Sequence, residues 1–178
     1  DACDCTGQSG SQSCDGGAAA DQSSAADTTA ADAGTEQTPA ERLAGLWHVV
    51  KWELTMPDGT VVKPFGDTPT GSIYFLAADA RFWGILNHST DAPDFADGSS
   101  PFKGTPEESK AAHDAYIGYA GTYTIQEADS TVTLHVLNAW TPNWLGTDQV
   151  RKFTFTDNGQ MILAPTNFEG NQLVFEKK

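Results

Sequence analysis

From about residue 45 to the end of the chain, short runs of alternating apolar and polar residues follow one another. Such alternation is typical of β-strands that bury one face. Pro, Gly, Asn and Asp lie between the runs, and Asn158-Gly159 favours a tight hairpin turn. The pattern predicts about eight to nine strands, in Leu46–Thr55, Val61–Val62, Ser72–Leu76, Arg81–Leu86, Thr122–Gln126, Thr131–Leu137, Val150–Thr156, Met161–Leu163 and Gln172–Glu176.

The first of these runs is irregular. Lys51 and Glu53 have the same parity as Trp47 and Val49, so one strand face would carry both apolar and charged side chains. Either this face becomes polar toward one end, or a β-bulge shifts the register.

One segment has the signature of a helix start. Thr105 can cap the helix, Pro106 suits its first position, and Glu108 completes a capping box. We expect this helix to end near Ile117, because Gly118 follows. Many short strands with regular turn signals and one helix favour a barrel or a sandwich.

The first 38 residues differ in composition from the rest. They contain no Lys, Arg, aromatic residue, Leu, Ile or Val. Such a segment buries too little apolar surface to offset the entropy of ordering it. We therefore expect residues 1–38 to form a disordered acidic tail or linker, and residues 39–178 to form one domain.

The chain is strongly acidic, with a formal net charge of −14. This charge repels phosphate backbones and anionic lipids, which disfavours nucleic-acid binding. No apolar run approaches the roughly 18 residues of a membrane span.

The N-terminal segment suggests export. The sequence starts without Met, and a polar spacer precedes the domain, as in an exported protein whose signal peptide has been removed. Cys3 follows a small residue and is a candidate for lipidation on a flexible leash. Alternatively, two of Cys3, Cys5 and Cys14 pair and one stays free. We expect a periplasmic, cell-surface or secreted location.

Three sequence motifs occur in order along the domain. Gly45-Leu46-Trp47 opens the first predicted strand, and Tyr119–Tyr123 (YAGTY) opens a central one. Pro142–Gly146 (PNWLG), followed by Gln149 and Arg151, leads into a late strand. Together the motifs resemble those of the bacterial lipocalin-like domain family, over roughly residues 39–178.

The resemblance implies an all-β fold, an antiparallel up-and-down β-barrel of about eight to nine strands with an internal cavity and one helix inserted mid-chain. It implies a structural role for Gly45, Trp47 and Gly121. Trp47 would close one barrel end beneath a basic residue near the last strand, where this chain ends in Lys177-Lys178. Gly121 would allow a sharp change from helix to strand.

Arg151 is one candidate for ligand binding. It shares a strand face with Gln149, Phe153 and Phe155, and a charge in line with two aromatic residues is unusual on a solvent face. A buried guanidinium needs a partner. Arg151 therefore either anchors an anionic ligand group or pairs with a lumen carboxylate such as Glu53.

His135 is the second candidate. Alternation places it opposite Val132, Leu134 and Val136, so it lies either outside the barrel or in a polar lumen. The family resemblance covers this position. We expect the lumen wall to include Tyr74, Trp83, Tyr123, Phe153 and Phe155. The residues predicted to bind ligand are Tyr74, Trp83, Tyr119, Tyr123, His135, Asn143, Trp144, Gln149, Arg151 and Phe153.

Metal or cofactor binding has no support in the sequence. His48, His88, His113 and His135 are too scattered for a metal spacing, and no dinucleotide or phosphate-loop fingerprint occurs. We therefore predict neither a metal nor a cofactor.

Three functions stay open. The first is an exported protein, not an enzyme, that binds a small, mostly apolar or amphipathic molecule in the barrel lumen. The second is a cofactor-independent acid–base isomerase, cyclase or hydrolase, with His135 as acid or base and Tyr119, Tyr123 or Glu53 as its partner. The third is a barrel filled by its own aromatic residues that serves as a surface interaction module. The segment 88–103 is a possible lid, and the oligomeric state is open.

Overall fold

The computed structural model describes residues 37–87, 94–100 and 102–178. Within these ranges, nine strands form one antiparallel sheet in the order β2-β1-β3-β4-β5-β6-β7-β8-β9, and β1 also pairs with β9. Eight strands therefore close into an up-and-down barrel, with β2 as an extra strand beside the end of β1. The predicted fold class is confirmed.

The helices and strands have the following bounds: α1 (Pro39–Leu43), β1 (Gly45–Thr55), β2 (Val61–Val62), β3 (Thr70–Leu76), β4 (Arg81–Asn87), α2 (Pro106–Asp114), β5 (Tyr116–Gln126), β6 (Thr131–Ala139), β7 (Asp148–Phe155), β8 (Gln160–Pro165) and β9 (Asn171–Lys177).

A bulge in β1 explains the irregular pattern of that strand. The register against β9 shifts between Val49 and Lys51. Trp47 and Val49 are buried before the shift, and Trp52 faces the lumen after it. Lys51 and Glu53 instead form a salt bridge of 3.0 Å with each other, and both are partly exposed. Of the two alternatives that the sequence left open, the register shift is the one observed.

Trp47 fills one end of the barrel. Its side chain is 2 % exposed, and its indole Nε1 donates a hydrogen bond of 2.7 Å to the carbonyl of Leu43 in α1. Lys177 Nζ lies 5.2 Å from the Trp47 ring centroid and donates to the carbonyl of Arg42. A lysine of the last strand therefore lies over this tryptophan, as the resemblance implied. We call this half of the barrel the closed end.

Helix α1 was not predicted, although its sequence carries the same signature as that of α2. Thr38 accepts a hydrogen bond from the backbone of Glu41, and the Glu41 carboxylate accepts one from the backbone of Thr38. The helix places the Arg42 guanidinium 4.1 Å from the ring centroid of Phe155. This short helix thus covers the closed end with a buried leucine, Leu43, and a cation–π contact.

Helix α2 begins as predicted and ends earlier. Thr105 and Glu108 form both hydrogen bonds of the capping box. The helix ends at Asp114, because β5 begins at Tyr116 and pairs Ile117 and Tyr119 with β4. Hydrogen bonding to the sheet therefore replaces the predicted last turn. Among the described residues, no helix has the length and apolar character needed to span a membrane.

The predicted role of Gly121 is wrong. This glycine lies inside β5, at a register shift against β6, and not where helix becomes strand. A Cβ atom at Gly121 would lie 1.9 Å from the carbonyl oxygen of His135. Glycine is thus required here because two backbones approach closely.

Replacing Gly121 with Ala should lower the free energy of unfolding by about 3 kcal/mol, because a backbone atom in the sheet must move to admit the methyl group. Gly98→Ala is the matched control, since a Cβ at Gly98 meets no atom within 4 Å. We expect the control to change stability by less than about 0.5 kcal/mol. Urea unfolding followed by circular dichroism measures the stability of both variants. Equal stability of Gly121→Ala and Gly98→Ala would contradict the close approach of the two backbones.

Candidate functional site

A cavity of about 330 Å³ occupies the half of the barrel opposite the closed end. It lies between the end of β4, the starts of β5, β7 and β9, and the loop between β8 and β9. Most of its wall is apolar. The polar side chains in its lining are Ser72, Tyr119, Gln149, Arg151, Asn167 and Asn171. The apolar lining includes Trp52, Ile73, Leu86, Ile117, Leu163 and Phe175, and Trp144, Phe168 and Asn171 lie at the rim.

Arg151 is the charged group of this cavity and is only 8 % exposed. Its guanidinium donates to the carbonyl of Val150 (3.0 Å) and to Gln149 Oε1 (3.2 Å). Within the described part of the chain, no carboxylate forms an ion pair with it, and Glu53 pairs with Lys51 instead. Burial lowers the pKa of Arg151, and the neighbouring Tyr119 opposes this shift. An arginine keeps its charge in proteins, so the cavity contains a buried cation that has no counter-ion among the described residues.

A chain of hydrogen bonds fixes the orientation of Gln149. The Thr147 hydroxyl donates to the carbonyl of Trp144 (2.8 Å), so its oxygen is free to accept from Gln149 Nε2 (2.9 Å). With the amide nitrogen directed at Thr147, Gln149 presents its oxygen to Arg151. The loop between β6 and β7 therefore positions the guanidinium through two intervening side chains.

Tyr119 is the second polar group that faces the cavity. Its ring packs edge to face against Phe82 (5.4 Å between centroids) and Trp144 (5.2 Å). No described residue hydrogen-bonds to its hydroxyl. Burial raises the pKa of Tyr119, while the positive charge of Arg151 acts to lower it. The hydroxyl is thus a neutral donor close to a cation.

Tyr123 and Phe153, predicted to bind ligand, do not line this cavity. Their side chains are 6 % and 2 % exposed and belong to the core of the closed end. Phe155, a predicted wall residue, packs there against Trp47, with 5.9 Å between ring centroids. These three aromatic residues fill the barrel beneath the cavity.

Tyr74 and Trp83 were expected in the lumen wall and lie on the outer face of the barrel. Their neighbours Phe75 and Phe82 take the inward positions and are almost fully buried. The rings of Tyr74 and Trp83 stack on each other across β3 and β4, with 4.4 Å between centroids. The inward placement of this pair was therefore wrong, because alternation assigns the lumen to the neighbouring phenylalanines.

His135 also lies on the outer face. The valine–leucine side of β6 is inside, with Leu134 and Val136 at 0 % and 1 % exposure. His135 Nδ1 lies 2.7 Å from Asp148 Oδ1, and its Nε2 lies 3.2 Å from the Thr124 hydroxyl. The structure does not bring His135 together with Tyr119, Tyr123 or Glu53, the partners of the acid–base hypothesis.

Other predicted site residues lie at the rim or outside the described ranges. Asn143 is exposed in the single turn of 3-10 helix Pro142–Trp144, while Trp144 is half-buried and contacts Tyr119. Cys3 and His88 lie outside the described residues. Of the possible lid, residues 94–100 contact α2 through a hydrogen bond from the Ala96 backbone to Glu108.

The cavity lining also includes residues that were not predicted from the sequence, among them Trp52, Leu86 and Ile117. Trp52 donates a hydrogen bond of 2.8 Å to Asn171 across the rim. The bulge alternative for β1 was the signal that could have placed Trp52 inside. Among the described residues, no group of three or more His, Cys, Asp and Glu side chains is arranged to hold a metal ion.

A closed eight-stranded antiparallel barrel with a cavity at one end is an architecture that holds one small ligand. A family model described as the lipocalin-like domain matches residues 44–175. The chain belongs to the lipocalin-like domain family. A search of curated proteins found no match. The barrel and the family support a ligand-binding role.

Replacing Arg151 with Met should leave the free energy of unfolding unchanged or raise it by up to about 2 kcal/mol, because it removes a buried charge that no carboxylate in the described ranges neutralises. Arg42→Met should instead lower stability by about 1 kcal/mol, because Arg42 stacks on Phe155. Thermal unfolding of the ligand-free variants compares them. A loss of more than about 2 kcal/mol in Arg151→Met would show that the charge is needed for folding.

Proposed function

We propose that this protein binds a small, mostly apolar molecule in the cavity at the open half of its barrel. The observation that carries the proposal is a cavity of about 330 Å³ inside a barrel whose other half is densely filled. This volume lies at the lower end of the range found for ligand pockets, so the ligand is of modest size.

The chemistry of the lining supports an apolar ligand with a polar end. Leu86, Ile117 and Leu163 supply aliphatic surface, and Trp52 and Phe175 supply aromatic surface. Burying apolar surface contributes about 25 cal/mol per Å² before the costs of binding. A few polar groups in such a wall orient a ligand and select among candidates.

Two observations bear on the alternatives. The acid–base enzyme depended on His135 in the lumen, and that side chain lies outside. The filled barrel depended on side chains occupying the whole interior, whereas the open half encloses a cavity of about 330 Å³. Small-molecule binding is therefore the function that the described site supports best. Export, with or without a lipid at Cys3, stays a prediction.

Native mass spectrometry of the full chain, after incubation with a cell extract, should show a discrete added mass. Leu173→Trp should abolish it, because Leu173 lines the cavity and the larger indole fills that space. Leu137→Trp is the matched control, since Leu137 is 60 % exposed on the outer face of β6. An adduct that persists in Leu173→Trp would place binding elsewhere on the protein.

A further inference from the structure

We propose that the cavity selects ligands that carry a single carboxylate, bound by Arg151 and Tyr119, with the apolar part of the ligand directed toward Trp144 at the rim. The inference rests on the proposed function and names the class of ligand that the same cavity takes.

The buried charge of Arg151 points to an anionic ligand group. The side chain is 8 % exposed, and among the residues that the structure describes no carboxylate neutralises it. Burying an uncompensated charge is costly unless a partner offsets it. An anionic ligand group would be that partner, and it would gain a charge-assisted hydrogen bond in a water-poor site.

The unused N–H donors of Arg151 point to a group with two acceptor oxygens. A guanidinium has five N–H groups. Its bonds to Val150 and Gln149 use two of them. Three remain without an acceptor in the described chain. Because its amide nitrogen donates to Thr147, Gln149 presents only its oxygen to the guanidinium. It therefore holds the guanidinium in place and does not compete with it for an anionic group. Remaining N–H groups on a planar fork suit the two oxygens of a carboxylate.

Tyr119 adds a donor of a different kind. Its ring is fixed between Phe82 and Trp144, and its hydroxyl has no acceptor among the described residues. A neutral phenol beside a guanidinium donates to an anion without adding charge. The two residues therefore form a polar pair with one positive charge, in a wall that is otherwise mostly apolar.

The charge balance distinguishes a carboxylate from a phosphate. A phosphate group carries about −1.5 to −2 charges at neutral pH. One guanidinium neutralises one negative charge, so a phosphate would leave a buried excess. The protein is itself strongly acidic, with a net charge of −14, which adds to that cost.

The orientation of the ligand follows from the direction of β7. This strand runs from the rim toward the closed end, in the inward-facing order Gln149, Arg151, Phe153. Phe153 belongs to the filled core, so no ligand space lies beyond Arg151 in that direction. The carboxylate would lie inward, and the apolar part would extend past Ile117 to Trp144 and Phe168 at the rim.

Matched pairs of probes test the inference on the full chain. Hexanoate, octanoate and decanoate are titrated by calorimetry against 1-hexanol, 1-octanol and 1-decanol. We expect at least one carboxylate to bind about tenfold more tightly than its alcohol, since hydrogen bonds to charged groups are the stronger ones. Arg151→Met should remove this difference, and Arg81→Met, at an exposed arginine, should retain it.

A second pair of variants tests the phenol. Tyr119→Phe should weaken carboxylate binding about three- to tenfold, because it removes one donor. Tyr116→Phe is the matched control, since Tyr116 is partly exposed and lies at the start of the same strand. Circular dichroism verifies that each variant is folded.

Three outcomes would overturn the inference. One is equal affinity for carboxylates and alcohols, and a second is tighter binding of octyl phosphate than of octanoate. The third is that neither the carboxylates nor the alcohols bind. The proposed function fails separately, when native mass spectrometry shows no adduct or one that persists in Leu173→Trp.

Discussion

The pairing of β1 with β9 joins the two ends of the sheet, and the arrangement of the interior depends on it. Strand β1 pairs with β3 along its first residues and with β9 along nearly its whole length. Because both neighbours are present, the sheet closes and each strand has one inward face. The bulge after Val49 lets β1 keep this pairing while Trp47 and Trp52, five positions apart, both point inward. Without the shift, Lys51 and Glu53 would enter the lumen.

The interior is divided into two halves with different physical roles. At the closed end, Trp47, Phe75, Phe82 and Phe153 belong to one buried cluster, and α1 adds Leu43 to it. Burial of these aromatic side chains supplies much of the apolar surface removed from water on folding. At the other end, the same strands enclose a cavity and a buried arginine, both of which reduce stability. The apolar burial at the closed end therefore offsets the loss of stability caused by the cavity and the buried arginine.

The sequence predicted the architecture well because alternation and turn residues report it directly. The strands, the start of α2 and the closed barrel all follow from local patterns and three short motifs.

Which face of each strand points into the barrel was harder to predict. Alternation divides a strand into two faces without saying which is inside, and β3 and β4 carry aromatic residues on both. On β6, the sequence left the side of His135 open and counted this residue among the ligand-binding ones, whereas the structure has Leu134 and Val136 inside and His135 outside. On β7, the prediction that Gln149 and Arg151 share a face is confirmed. Which residues meet across the lumen depends on pairing register and on bulges, which local patterns do not reveal.

Trp144 connects the rim of the cavity to its charged wall. Its carbonyl accepts from Thr147, which orients Gln149 and through it Arg151, while its ring packs against Tyr119. Arg151 and Tyr119 therefore both depend on one turn that ends at the barrel mouth. In evolutionary terms, a ligand preference set by these two residues would be adjustable from a surface loop, where insertions and substitutions are best tolerated. The strands that hold the fold together need not change when that preference does.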